Sequence, residues 1–169
     1  PPVPPPVFRC APSASRFRQP SGQLARPPHT DRPIRNVVCQ AAVAAKMLGR
    51  REEENALRDA VLLTVAGDDP GPAGNLFLAT RTLTRQSGAI TTPFVKELCA
   101  LVGIRWDDGL ASIPDLVDSA IQSGRAAPFA VAGLITAISA VRPDGEVLAL
   151  GLADVVLSRK LNWPKPVPL

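Results

Sequence analysis

Residues 34–48, IRNVVCQAAVAAKML, decide how the rest of the chain is read. Val37, Ala41, Ala44, Ala45 and Leu48 recur at the spacing of one helix face. Gly49 follows, where a helix commonly ends on a left-handed residue. A second helical run begins a few residues on, near Glu52 in EEENALRDAVLLT. Glu52, Glu53 and Glu54 occupy its first turn, where they meet the positive end of the helix dipole. Glu54 and Arg58 stand four apart, as an ion pair on one face does, and Leu57, Ala60, Val61 and Thr64 form the inward stripe. Two helices joined this closely lie side by side as an αα-hairpin.

The same pattern repeats down the chain. A third helix is expected over about 73–85, and AITTPFVKELCALVG is a fourth, with Thr92 as N-cap, Pro93 in the first helical position and Gly103 past the end. SIPDLVDSAIQSG is a fifth, opened by a capping box from Ser112 to Asp115 and closed by Gly124. APFAVAGLITAISAV is a sixth, stopped by Pro143, and Asp144-Gly145 is a turn. Residues 146–161 are a seventh, with Leu148, Leu152, Val155 and Val156 on one face and Arg159 and Lys160 at the end that favours cations. No segment alternates with period two over a strand length, and no internal repeat is evident. The expected fold is all-α, a bundle of antiparallel helix pairs with about seven helices.

Composition agrees. The 169 residues are 46% hydrophobic, enough for one domain with a packed core. Aromatics are few and Tyr is absent, so the core must be built from Ala, Leu, Val and Ile. The +4 net charge is unevenly spread: residues 1–36 hold six basic residues and one acidic, while residues 37–169 hold thirteen and fourteen. The basic character belongs to the N-terminal tail, which excludes a nucleic-acid argument from the whole-chain charge. Ten of the nineteen prolines fall in residues 1–33. Proline fixes φ and removes a donor, so this stretch is expected to be a disordered tail ahead of a helical domain over 34–169. No apolar run reaches transmembrane length, and the N-terminus lacks the apolar stretch of a signal peptide.

Candidate chemistry is sparse. Asp68 and Asp69 in AGDDPGPAG, with Asp107 and Asp108 in RWDDG, would supply oxygens to a divalent cation if the two loops converged. Turn and cap chemistry explains them more simply, since Asp before Pro or Gly is turn-forming and Asp69 is placed to cap the third helix. Gly67, Gly71 and Gly74 lack the preceding strand and the Lys-Ser/Thr of a phosphate loop; Gly74 instead suits close approach of the third helix to a neighbour. His29 is the single histidine and lies in the tail, and no G-x-S-x-G occurs, so no catalytic set and no cofactor are expected. Cys10, Cys39 and Cys99 are odd in number and widely spaced, which argues against zinc or a disulfide framework. Cys39 and Cys99 lie in apolar helical patterns as buried structural thiols, consistent with a reducing cytoplasm. The tail arginines Arg9, Arg16, Arg18, Arg26, Arg32 and Arg35, interleaved with Phe8 and Phe17, are a candidate phosphate-contacting segment, and PPVPPPV contains P-x-x-P.

AAVAAKMLGRREEENALRDAVLLT, GDDPGPAG, IRWDDGL, GRAAPFA and LADVVLSRKLNWPKPVPL stand in an order and spacing that resemble a bacterial protein family known only as a domain of unknown function. The resemblance covers about residues 41–169. It implies a helical intracellular protein with no established activity and no catalytic residues to carry over. It also implies members longer at both ends, with a winged-helix-type segment beyond Leu169 and Ala-rich helical sequence in place of the first 36 residues, so that the helical domain here is incomplete at its C-terminus. The expectation is a non-enzymatic interaction protein working through helix faces. The alternatives are an accessory of a DNA-associated regulator using the basic tail, and a divalent-metal enzyme using the two Asp pairs.

Overall fold

A computed structural model describes residues 32–51, 54–65 and 68–167, with backbone alone for residues 32–34 and 61. The tail expected over 1–33 lies outside these residues except for its last two, which open the first helix. Among the described residues there are seven α-helices and no strand: α1 Arg32–Met47, α2 Glu54–Leu62, α3 Gly71–Arg85, α4 Thr92–Val102, α5 Ile113–Gln122, α6 Ala127–Val141 and α7 Glu146–Lys160. A 3-10 turn, Asp108–Ser112, leads directly into α5. The all-α expectation holds, and consecutive helices pack against one another through the chain.

Several helix ends follow the expected signals, and others do not. Gly49 and Gly103 take φ of 73° and 82° just past α1 and α4, a conformation that side-chain-bearing residues rarely adopt. The α4 cap is Thr91 rather than Thr92: its hydroxyl accepts from the Phe94 amide at 3.4 Å, and Pro93 falls to the second helical position. The Ser112–Asp115 capping box does not form. Ser112 already has helical backbone angles as the last residue of the 3-10 turn, and its hydroxyl donates to the Gly109 carbonyl at 2.7 Å. Asp107 does the capping instead, accepting from the Leu110 amide at 3.2 Å. Asp69 is one residue outside the α3 cap position, which Pro70 holds, yet its carboxylate accepts from the Gly71 amide at 2.9 Å and from Asn75 Nδ2 at 3.0 Å. Glu52, Glu53 and Gly67 lie outside the described residues. The Glu54–Arg58 pair is absent: Glu54 accepts from the Cys39 thiol at 3.5 Å, and Arg58 sits 3.8 Å from Asp59.

The core has two parts joined by α3. Val37, Val38, Ala41 and Ala42 of α1 close over Leu57 of α2 and Phe77 of α3. Of the remaining α2 stripe, Ala60 and Thr64 are half-buried, and Leu48, assigned inward from sequence, is exposed. The larger core gathers the inner faces of α4 to α7 with Ala79 of α3. Its centre is α7. Beyond the expected Leu148, Leu152, Val155 and Val156, the structure also buries Ala149, Gly151, Ala153 and Ser158, so α7 is covered on nearly every side. A helix buried all round must be small-sided where neighbours press closest. Gly151 marks that place: a Cβ there would stand 2.5 Å from Leu83 Cδ1 of α3. The two cations at the end of α7 serve other elements. Lys160 Nζ donates to the Ile121 and Ser123 carbonyls at the end of α5, and Arg159 donates to the Gly88 carbonyl.

Leu152 is fully buried at the middle of α7. Leu152→Ala is expected to destabilise the fold by about 2–5 kcal/mol, measured by urea denaturation, because the surrounding helices cannot collapse into the space left behind.

Candidate functional site: an apolar groove between α1, α3 and α7

α1 and α7 both pack on α3, without packing extensively on each other. The space between them is a groove of about 290 Å³. Leu76, Ala79, Thr80 and Leu83 of α3 form its floor, with Leu98 and Val102 of α4 and Val131 and Ile135 of α6 beneath and beside them. Gln40, Val43, Ala44 and Met47 make the α1 wall, at helical spacing on one face. Val147, Leu150, Gly151 and Asp154 make the opposite wall on α7 with the same spacing. The absent side chain of Gly151 deepens the groove while admitting Leu83.

Polar atoms are few and placed at one end. Gln40 Nε2 donates to Asp154 Oδ2 at 2.6 Å, joining the two walls. The Thr80 hydroxyl is turned back on its own helix, donating to the Leu76 carbonyl at 3.0 Å. Asp154 is the one ionisable residue of the lining among the described residues. At the rim Val43, Met47 and Leu150 are 55%, 41% and 37% exposed. Large apolar side chains left at the mouth of an apolar recess, beside one polar end, are the usual marks of a binding groove.

The residues singled out from sequence lie elsewhere. Asp69 is committed to Gly71 and Asn75, as above, and Asp68 is exposed beside it. Asp107 receives the Arg142 guanidinium at 2.5 Å, and Arg142 also reaches Asp144 at 2.5 Å. This three-residue node ties the start of the 3-10 turn to the α6–α7 corner. Among the described residues no group of three or more His, Cys, Asp or Glu gathers as a metal site would. Arg9, Arg16, Arg18, Arg26 and His29 lie outside the described residues, and Arg35 is exposed on the first turns of α1. Cys99 is buried, and burial pushes its thiol above the ordinary range. Cys39 is half-exposed rather than buried. The groove itself went unseen in the sequence. Its one signal was the second apolar stripe of α1, Val43 and Met47 beside the core-facing alanines.

The fold and lining define the class: an all-α bundle carrying an open apolar groove with a polar end. The chain belongs to the family described as Protein of unknown function (DUF1403), whose profile matches residues 29–169. The match takes in the whole of α1 and extends the resemblance read from residue 41; of the first 36 residues, expected to depart from the family, residues 29–36 fall inside the match and residues 1–28 outside it. No curated protein and no solved structure matches the chain. Among the described residues no helix is long and apolar enough to cross a membrane.

The Arg142 node has a pH signature. Partial desolvation pushes the Asp107 carboxyl up, but the Arg142 hydrogen bond, the Leu110 amide, the Arg142 charge and the Gly109 amide outweigh it and hold the group below the ordinary carboxylate range. A carboxylate whose folded value is depressed adds stability above its unfolded value of about 3.9, and that stability is lost as pH falls through the lower folded value. The Tm difference between the parent chain and Arg142→Gln is therefore expected to be full at neutral pH and to shrink in acid below about pH 4, as followed by thermal melts across pH.

Proposed function

We propose that this chain is a non-enzymatic interaction module of the bacterial cytoplasm, in which one helical domain over residues 34–169 holds an apolar segment in the α1–α3–α7 groove. The single observation that carries the reading is the groove's combination of an apolar floor, exposed aliphatic rim and one acidic end. An occupant that suits it presents one or two aliphatic side chains to the floor, beside the end closed by Gln40 and Asp154. The described side chains of the groove offer a surface for burial, with no nucleophile–base pair among these described residues, which supports binding over chemistry.

The test uses rim positions whose loss does not touch the core. Val43→Asp and Leu150→Asp are expected to fold with stability within about 0.5 kcal/mol of the parent, as exposed substitutions usually do. Each is expected to weaken binding of a neutral apolar fluorescent probe such as Nile red about tenfold or more, since a carboxylate at the mouth must be desolvated when the groove fills. Unchanged probe affinity in both variants overturns the groove as the binding surface.

A further inference from the structure

We propose that the end of the bundle where α3, α5 and α7 finish and α6 begins docks on an anionic lipid surface. This end is separate from the groove: Phe129, Leu161, Trp163 and the cations beside them do not line it. Three observations point to it.

The first is the placement of charge. Arg159, at the end of α7, donates to the Gly88 carbonyl beyond α3, and Lys160 Nζ donates to the Ser123 carbonyl at the end of α5. These bonds draw three corners of the chain together at one end. Arg85, Arg125, Arg159, Lys160 and Lys165 belong to those corners, and residues 81–91, 119–131 and 155–167 contain no Asp or Glu. The carbonyls that receive Arg159 and Lys160 are neutral, so both charges remain uncancelled there. α6 and α7 have 15 residues each and separate this end from the other by about 22 Å. At the far end Asp107 and Asp144 hold Arg142, and Asp108 and Glu146 stand next along the chain. Charge is thus polarised along the bundle, and a polarised body turns its positive end toward an anionic surface.

The second is apolar exposure at the same end. Phe129, in the first turn of α6, is 65% exposed, and Leu161 and Trp163, just past α7, are exposed as well. Asn162 takes φ of 54°, and the Trp163 amide donates to the Ser158 carbonyl at 2.8 Å. This helix-ending turn holds Trp163 at the tip of α7. Aromatic and aliphatic side chains set among cations are what an interfacial anchor uses: the apolar groups enter the headgroup layer and the cations meet its phosphates.

The third is shape, which favours lipid over nucleic acid. The helices arrive at this end by their tips, and among the described residues no helix lies across it to enter a duplex groove. Leu161 has no ring on which a base could stack. A lipid interface takes helix tips, and it takes aliphatic and aromatic groups alike.

The experiment uses the full chain. It is mixed with phosphatidylcholine vesicles containing about 30% phosphatidylglycerol and with pure phosphatidylcholine vesicles, and binding is read by co-sedimentation. Binding to the anionic vesicles is expected to be about tenfold tighter or more, and to fall steeply as NaCl rises from about 0.05 to about 0.5 M. With Trp106→Phe leaving Trp163 as the single indole, its emission is expected to shift to the blue on the anionic vesicles. The double variant Arg125→Glu, Lys165→Glu is expected to lose about tenfold or more in affinity, and Phe129→Ser about threefold. Arg105→Glu, near the acidic end, is expected to bind as the parent does. Equal binding to both kinds of vesicle, or binding to neither, overturns the proposal. Anionic binding left unchanged by the double variant and by Phe129→Ser places the contact elsewhere and also overturns it. Binding to a single-stranded oligonucleotide but not to vesicles assigns this end to nucleic acid and overturns it too. In each of those cases the reading of the groove stands or falls by the probe titration alone.

Discussion

The burial of α7 on nearly every side is the constraint from which the rest of the architecture follows. A helix enclosed by α3, α4, α5 and α6 cannot carry a large residue at every contact. Ala149, Gly151, Ala153 and Ser158 supply the small sides, and Leu148, Leu152, Val155 and Val156 supply the volume. Gly151 allows α3 to come within side-chain contact of the α7 backbone. Through that contact α3 belongs to the main core while its other face completes the smaller core with α1 and α2.

The groove is a by-product of this arrangement. α3 is wide enough at its surface to seat both α1 and α7, and each satisfies its own packing on α3 without needing the other. The remaining space is apolar because its lining consists of flanks of helices whose inner faces are core. The Gln40–Asp154 hydrogen bond spans it at one end and fixes the separation of the walls there. Polar closure at one end and the aliphatic rim make the two ends of the groove chemically unlike.

The Asp residues of the loops serve architecture. Asp69 satisfies amides at the start of α3, and Asp107 caps the 3-10 turn while holding Arg142. Both roles use the carboxylate's capacity to accept several donors at a place where the backbone has left its own amides unpaired. The same logic explains Lys160, whose ammonium answers the carbonyls at the end of α5. Charges among the described residues mostly stitch chain corners together.

Helix existence, order and approximate bounds were legible in the sequence because periodicity, proline and glycine act locally. α1, α4, α6 and α7 lie close to where their patterns place them, and the left-handed glycines at positions 49 and 103 behave as their chemistry requires. The cap residues were less legible: Thr91 and Thr92 are chemically alike, and the choice depends on where the preceding chain enters the helix. Ser112 could not be assigned because the 3-10 turn before it is set by Asp107 and Arg142, which are 35 residues apart. The full burial of α7 and the close approach at Gly151 were beyond sequence reading as well. A glycine within a helix is a packing site only if a neighbour arrives, and that neighbour, Leu83, comes from a distant helix. The sequence by itself determined an all-helical chain with a proline-rich, basic start. Tertiary structure alone decided which helix is central and that α1 and α7 leave a groove between them, since burial and cavity shape are properties of many helices packed at once.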